Sequence, residues 1–500
     1  MSSSHTPRAQ SSSPRNSSDE SWDMSISRNV PRKSQDSGDS LDELDSQGKR
    51  SMDEEDVGLH DQDEEDNAPL LDQERTTNLG ANEGLEALAT ESGKSNMKMA
   101  FMNMANSIIG AGIVGQAYAV KQAGLIGGVV LLFGLTILVD WTIRLIIINA
   151  KLSGTNTFQA TVSQCFGHFG LIAVSLAQGL FAFGGSVAFC VIIGDTIPHV
   201  VNALFPGLHD IPVLGILSHR NTIIVLFTML ISYPLALNRN ISKLAKASGF
   251  ALVSMMVIVL TVVVRGPMVE KSPDAKFTAP LLTFNTGILQ GVSVIAFAFV
   301  CHHNSLLIFE SLKTPTLDRF ARVTHWSTGV SMAACMTMGI GGFIIFKDKT
   351  KGNILNNFPG DDVMANIARF CFGLNMLTTL PLEIFVCREV ILNYMYPEQA
   401  NEHDSRKHFI STTALVLVAM IISLFTCNLG VILELVGSTS ASVMAFVLPP
   451  WCYLRLTKNG RWQRIGCWAC IAFGIIVMVL STLQSLVKLF QDTNEEHCVV

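Results

Sequence analysis

Charge is what most of this chain lacks. Residues 96–500 carry only 26 Lys or Arg and 19 Asp or Glu, whereas a soluble domain is about a quarter charged. These charges cluster between long apolar stretches, which excludes a string of soluble domains and leaves membrane composition. The eleven cysteines are an odd count lying mostly inside the apolar stretches, so no disulfide framework is expected. Cys467-Trp468-Ala469-Cys470 has redox-pair spacing but sits in an apolar helical run with no strand nearby, and reads as two membrane-buried thiols. No cluster has metal-ligand spacing, so neither a metal nor another cofactor is expected, and no nucleic-acid partner is called for. The chain ends His497-Cys498-Val499-Val500, with cysteine third from the end rather than fourth, which fails the prenylation pattern. No short apolar run follows a basic start, so no cleavable signal peptide is expected and the first span acts as the insertion signal.

Residues 1–95 are a contrasting segment. They hold 9 basic and 22 acidic residues, a net −13 ahead of a body of net +7, and are Ser-rich and nearly free of aromatics. Such a segment buries too little apolar surface to offset its chain entropy, so an acidic disordered tail is expected over 1–95. The body supplies runs of roughly 20 apolar residues, enough to cross a hydrocarbon core of about 30 Å. Eleven are expected, at 97–120, 124–149, 170–200, 219–237, 242–265, 284–311, 319–346, 362–394, 408–428, 430–454 and 465–488, giving a transmembrane domain over 96–490. With the tail in the cytosol, the loops on that side hold fourteen Lys and Arg against nine opposite, the sign that cytoplasmic loops show. An odd span number then places a short tail, 491–500, on the non-cytosolic side.

The stretch Gly110-Ala111-Gly112-Ile113-Val114-Gly115 is a literal G-x-G-x-x-G. A dinucleotide loop of that form follows a strand and opens a helix, with an acid at the end of a second strand. Here a helix-favouring run precedes it, and the candidate acid, Asp140, lies inside an apolar span. The glycines instead interrupt a transmembrane helix, each costing about 1 kcal/mol relative to Ala. Asn106 and Ser107 lie beside them, which argues against close helix packing alone. Backbone unwound at membrane depth needs partners other than lipid, and a polar ligand or ion supplies them. The half-helix ends add oriented dipoles suited to a carboxylate.

If two halves of five spans are related by inversion, the sixth span should break as well. Apolar Gly291 to Val300 leads into Cys301-His302-His303-Asn304-Ser305 and resumes at Leu306, so a polar cluster falls within that span. Two interrupted segments at corresponding places point to a midplane site.

Residues 103–124 (NMANSIIGAGIVGQAYAVKQAG), with 192–200 (IIGDTIPHV) and 379–390 (TLPLEIFVCREV), resemble the amino acid/auxin permease family, in particular fungal vacuolar amino acid transporters and the sodium-coupled neutral amino acid transporters. The resemblance covers essentially all of 96–500. It implies an all-α polytopic membrane protein of eleven transmembrane helices in the leucine-transporter-like 5+5 inverted repeat, with helices 1 and 6 broken. It further implies secondary active transport, with an amino acid held at both breaks. The expected substrate positions are Asn106, Ser107, Gly110, Ala111 and Gly112 with Ala298, Phe299, Cys301, His302 and Asn304. In the sodium-coupled branch an Asn matching Asn106 and a Thr in the eighth span, here Thr378 or Thr379, are implicated in the ion site. Fungal vacuolar members use protons, so these positions leave the ion open.

Ionisable groups inside spans are costly and are functional candidates by default. Asp195, Glu383 and Glu434 are the most deeply placed acids; each serves as a proton carrier or, equally, as a structural acid partnering Arg369 or Arg388. His303 and His302 sit at the second break and are candidates for gating or coupling, or for capping the half-helix. Asp140 and Arg144 are four apart on one helix face and read as a local pair. In the tail, Asp66-Asn67-Ala68-Pro69-Leu70-Leu71 resembles an acidic dileucine sorting signal, with Asp66, Leu70 and Leu71 its key positions and a sorting adaptor its partner. Ser11 to Ser18 offers phosphorylation sites. The reading is an integral membrane protein of a vacuole or lysosome, N-terminus cytosolic, exporting amino acids from lumen to cytosol with protons and catalysing no reaction. Its alternatives are an amino acid sensor signalling through the tail, a sodium-coupled plasma-membrane importer and a channel.

Overall fold

Long apolar runs, interrupted at glycines and prolines, set the architecture. The structure is a computed structural model describing residues 95–207, 215–238, 248–270, 274–395, 405–458 and 460–492, all in the compact unit Ala68–Val500. The described residues form α1 (Met97–Ile109), α2 (Gln116–Ala123), α3 (Leu125–Ser153) and α4 (Phe158–Leu204). They continue as α5 (Arg220–Ala236), α6 (Ser248–Arg265), α7 (Ile288–Phe299) and α8 (His302–Ser311). The last five are α9 (Leu317–Phe346), α10 (Val363–Met395), α11 (Ser405–Phe425), α12 (Leu429–Leu456) and α13 (Arg461–Lys488).

Nine helices among the described residues are long and apolar enough to cross a membrane. The other two expected spans are shorter pieces: 97–120 is the interrupted pair α1 and α2, and 219–237 is α5. Helix α3 shows why the bundle wants lipid. Val130, Phe133 and Ile137 form one exposed stripe at 56%, 56% and 57%, while Leu132, Val139, Ile143 and Ile146 on other faces are fully buried. In water such a stripe is a costly apolar patch; against hydrocarbon it is matched. Inside the bundle α4 lies along α10, α3 along α9, and α7 against α2.

Span boundaries differ from expectation where local chemistry intervenes. The third span begins at Phe158 rather than 170, because Thr157 caps it, its hydroxyl accepting from the Ala160 N–H at 3.1 Å. Gly167, at φ 63° and ψ −150°, then turns the chain before the long apolar part. Thr316 caps α9 in the same way, through the Arg319 N–H at 3.3 Å. Prolines inside helices leave a carbonyl one turn back without its usual donor. Pro381 frees the carbonyl of Leu377, and Ser232 of α5 donates its hydroxyl there at 2.9 Å. Pro450 frees that of Phe446, which accepts from the Cys470 thiol at 3.4 Å. The C-x-x-C cysteines are both free and buried, and Cys470 is a hydrogen-bond donor between helices.

The sorting motif at Asp66, Leu70 and Leu71, the serines at 11–18, the tail up to residue 94 and residues 493–500 lie outside the described residues. Ser95, counted with the tail by composition, is tied to the body. Its N–H donates to the Ser311 carbonyl at 2.7 Å and its carbonyl accepts from the Lys313 N–H at 3.2 Å.

Candidate functional site

The first interruption falls where three glycines predicted it. Helix α1 ends at Ile109, and Gly110 adopts φ 32°, ψ −147°, a left-handed conformation that favours glycine. One tight turn, Ala111–Gly115, leads to α2. The break exposes main-chain acceptors, and Gln116 meets one: its Nε2 donates to the Gly112 carbonyl at 2.9 Å within the protein.

The second interruption lies at the start of the polar cluster. Helix α7 stops at Phe299, Val300 is extended (φ −76°, ψ 103°), Cys301 turns the chain (φ −118°, ψ 19°), and α8 begins at His302. His302, His303 and Asn304 therefore occupy the first turn of a resumed helix, and the unwound residues are Val300 and Cys301. The polar side chains start the new half-helix instead of unwinding the old one. Cys301 stays fully buried, its carbonyl accepting the Ser305 hydroxyl at 2.9 Å and the Asn304 N–H at 3.1 Å.

The two interruptions abut. A β-carbon on Gly112 would lie 2.4 Å from the Ala298 Cβ and 2.6 Å from its Cα, so glycine there permits backbone contact between the first break and α7. On the other side Asn304 Nδ2 donates to the Ser107 hydroxyl at 3.1 Å. Phe181 of α4 covers the junction, its ring 5.5 Å from Phe297 and 5.4 Å from His303. His302 is fully buried and shares a hydrogen bond with Thr142 of α3 at 3.0 Å. Buried polar atoms without a partner gather around the junction: Gln116 Oε1 and Nδ1 of His302 and His303.

The expected substrate residues divide by exposure. Asn106, Ser107, Gly110 and Asn304 are half-buried at the breaks. Ala111, Gly112, Ala298, Phe299 and Cys301 are buried; Gly112 and Ala298 pack on each other, and the chain offers a ligand their backbone rather than their side chains. Thr378 and Thr379 turn their hydroxyls onto their own helix, donating to the Asn375 carbonyl at 2.9 Å and 2.8 Å.

The three deep acids have different surroundings. Asp195 is paired with buried Arg220 (Nε to Oδ1, 3.4 Å) and accepts from Asn356 at 3.0 Å. Glu434, fully buried, accepts from Ser485 at 3.2 Å and pairs with Lys488 at 3.3 Å, whose ammonium also donates to the Tyr118 hydroxyl. Glu383 is half-buried, and its Oε2 is enclosed without a partner. The arginines named as partners do other work. Arg369 donates to the carbonyls of Pro359, Leu355 and Phe358 and to Asn366, holding the loop ahead of α10. Arg388 donates to Thr412 and the Ala236 carbonyl and pairs with Glu389. The cations that pair with these acids are Arg220 and Lys488, each at the end of an expected span. Asp140 makes its expected pair with Arg144 at 3.0 Å and adds a bond to His325 of α9 at 2.8 Å. Sequence reasoning missed Thr142, Phe181, Arg220, Lys488 and Gln116; of these only Gln116, a glutamine directly after the last break glycine, carried a local signal.

A polytopic helical bundle built around two abutting helix breaks defines an integral membrane protein. The family model described as "Transmembrane amino acid transporter protein" matches residues 93–487, and the chain belongs to that family of transporters, which are not enzymes. It is 46% identical over 419 residues to "Vacuolar amino acid transporter 2" of Saccharomyces cerevisiae, covering 81% of this chain and 86% of that protein. It is 37% identical over 406 residues to "Putative sodium-coupled neutral amino acid transporter 11" of Danio rerio, covering 79% and 87%. Among solved structures, MhsT in complex with L-phenylalanine aligns at a TM-score of 0.49 and 12% identity, over 78% of this chain and 98% of that one.

Proposed function

We propose that this protein is a secondary active transporter that carries amino acids across a vacuolar or lysosomal membrane, moving them with protons from an acidic lumen to the cytosol. The observation that carries this reading is the meeting of the two breaks, where Ser107 and Asn304 are bonded and Gly112 lies on Ala298. A zwitterion placed there would set its carboxylate against the half-helix N-terminus at His302 and its ammonium against carbonyls near Ser107. An eleven-span, 5+5 inverted repeat is supported by the packing of segments five apart in the expected order: α1 with α8, α3 with α9, and α4 with α10. The relative named as vacuolar supports the compartment, and the excess of Lys and Arg on one side supports a cytosolic N-terminus.

Sodium coupling is the second reading, favoured by the name of the Danio rerio relative. Purified protein in liposomes, offered a panel of amino acids, separates the two. Uptake driven by an inward proton gradient and indifferent to sodium is the expected result. Uptake driven only by sodium would replace proton coupling, and absence of both uptake and exchange for every amino acid would refute transport.

A further inference from the structure

Of the three deep acids, two are occupied: Asp195 by Arg220 and Asn356, Glu434 by Lys488 and Ser485. Glu383 differs. No hydrogen bond or ion pair reaches it among the described residues, and its Oε2 is enclosed. Its Cγ and Cδ lie against Gly185 of α4, 3.9 Å from where a β-carbon would sit. Gly185 is one helical turn from Phe181 on the same face, and Phe181 touches both Phe297 and His303 at the second break. Glu383 and His303, whose Nδ1 also lacks a partner, thus meet one stripe of α4 a turn apart.

The arginines, lysines and other acids on the elements packed around α10 are committed elsewhere, and the two other histidines of α4, His168 and His199, stand about four to five turns from Gly185 along that helix. On α4 and α5, Asp195 holds Arg220, and Tyr233 bonds Thr413 at 2.9 Å. On α6, Arg265 pairs with Asp362; on α11, His408 bonds the Leu237 carbonyl, and Arg406 and Lys407 are also engaged. On α10 itself, Arg388 is held by Thr412 and Glu389, and Cys387 lies one turn beyond Glu383. An ionised carboxylate in such a place has neither a protein donor nor a counter-charge, and its enclosed Oε2 is cut off from water, a cost that a bound proton removes.

We propose that Glu383 is the group that takes up and releases the coupling proton, an assignment that rests on the proton-coupled reading above. A proton from water on the acidic side adds to a carboxylate oxygen and neutralises it. After the loaded protein reorients, the same proton leaves to water on the opposite side and the carboxylate is restored. No bond between heavier atoms changes.

The test uses full-length protein in liposomes and a mixture of radiolabelled neutral amino acids. Three quantities are read: exchange at equal pH, accumulation under a pH gradient, and proton entry from an enclosed pH dye. Glu383→Gln is expected to keep exchange within about twofold of wild type while losing gradient-driven accumulation and proton entry; Glu383→Asp keeps all three. A Gln variant that accumulates like wild type overturns the assignment. So does one that elutes as folded protein yet loses exchange, which would make Glu383 a substrate ligand. If the Gln variant does not fold, the Asp variant decides: the pH midpoint of accumulation must move, and an unchanged midpoint overturns the proposal. Failure of wild type to exchange any amino acid strikes the transport reading, a result separate from these.

Discussion

Substituting alanine for Gly112 probes how tightly the two breaks are pressed together. The added carbon would stand 2.4 Å from Ala298 Cβ and 2.6 Å from Ala298 Cα, against a resting carbon–carbon separation of about 3.5–4.0 Å. Alanine has no rotamer with which to yield and its Cα is main chain, so α7 itself must move. Overpacking costs about 1–3 kcal/mol, and displacement of backbone places this site at the upper end. The control is Gly134→Ala on α3, where an added carbon meets nothing within 4 Å and the change gains up to about 1 kcal/mol of helix propensity. A second change, Ala298→Gly, removes the closer contact but leaves the Cα overlap, so it restores only part of the loss. Thermal midpoints of detergent-solubilised protein, read by size-exclusion after heating, should fall by roughly 2–6 °C for Gly112→Ala and not at all for Gly134→Ala. Uptake should fall with the first, since pushing α7 away strains the Ser107–Asn304 bond. A Gly112→Ala protein as stable and active as Gly134→Ala would refute the close approach.

Three further outcomes are expected. Ser107→Ala and Asn304→Ala should each cost about 0.5–1.5 kcal/mol, and the double variant little more than either; fully additive losses in a double-mutant cycle would show that the bond is not made. Lys488→Ala should destabilise more than Glu434→Ala, because it strands a carboxylate with no exposure, whereas a lone Lys488, with side-chain exposure of 26%, can turn to water; breaking a buried pair costs up to about 3–5 kcal/mol, and equal heat stability of the two variants would contradict this asymmetry. Burial pushes the Asp362 carboxyl up, but the Ala365 N–H, 3.0 Å away, and the hydrogen bond and charge of Arg265 outweigh it and hold the group below the usual range. Its contribution is therefore complete above the unfolded value of about 3.9 and is lost as pH falls through the lower folded value. Asp362→Asn should be less stable than wild type at pH 6, with the gap closing in strong acid; a constant gap across a pH series of thermal midpoints would oppose it.

What was legible in the sequence followed from short-range rules. Three glycines in six residues marked the first break to the residue, because backbone freedom is a local property. The second break was legible as a region rather than a residue, because polar side chains at 301–305 announce a place without announcing which peptide unwinds; Val300, an apolar residue in extended conformation, gives no compositional sign. Nothing local distinguishes the loop cations of the expected topology from Arg220 and Lys488, whose partners lie 25 and 54 positions away. The same distance hides the remedies for Pro381 and Pro450, since a serine on α5 and a thiol on α13 become donors only after helices pack. Membrane class and the approximate spans were readable because apolar length is additive along the chain, while partner choice is a property of the assembled bundle.

The attachment of Ser95 to Ser311 and Lys313, together with the Ser107–Asn304 bond, fastens α1 to α8 at both ends. Two rods riveted twice hinge as one plate. In the alternating cycle proposed above, swinging one half-helix without the other would break these attachments, and a displacement at residue 95 would reach the short helix bearing His302, His303 and Asn304 through the Ser95 hydrogen bonds.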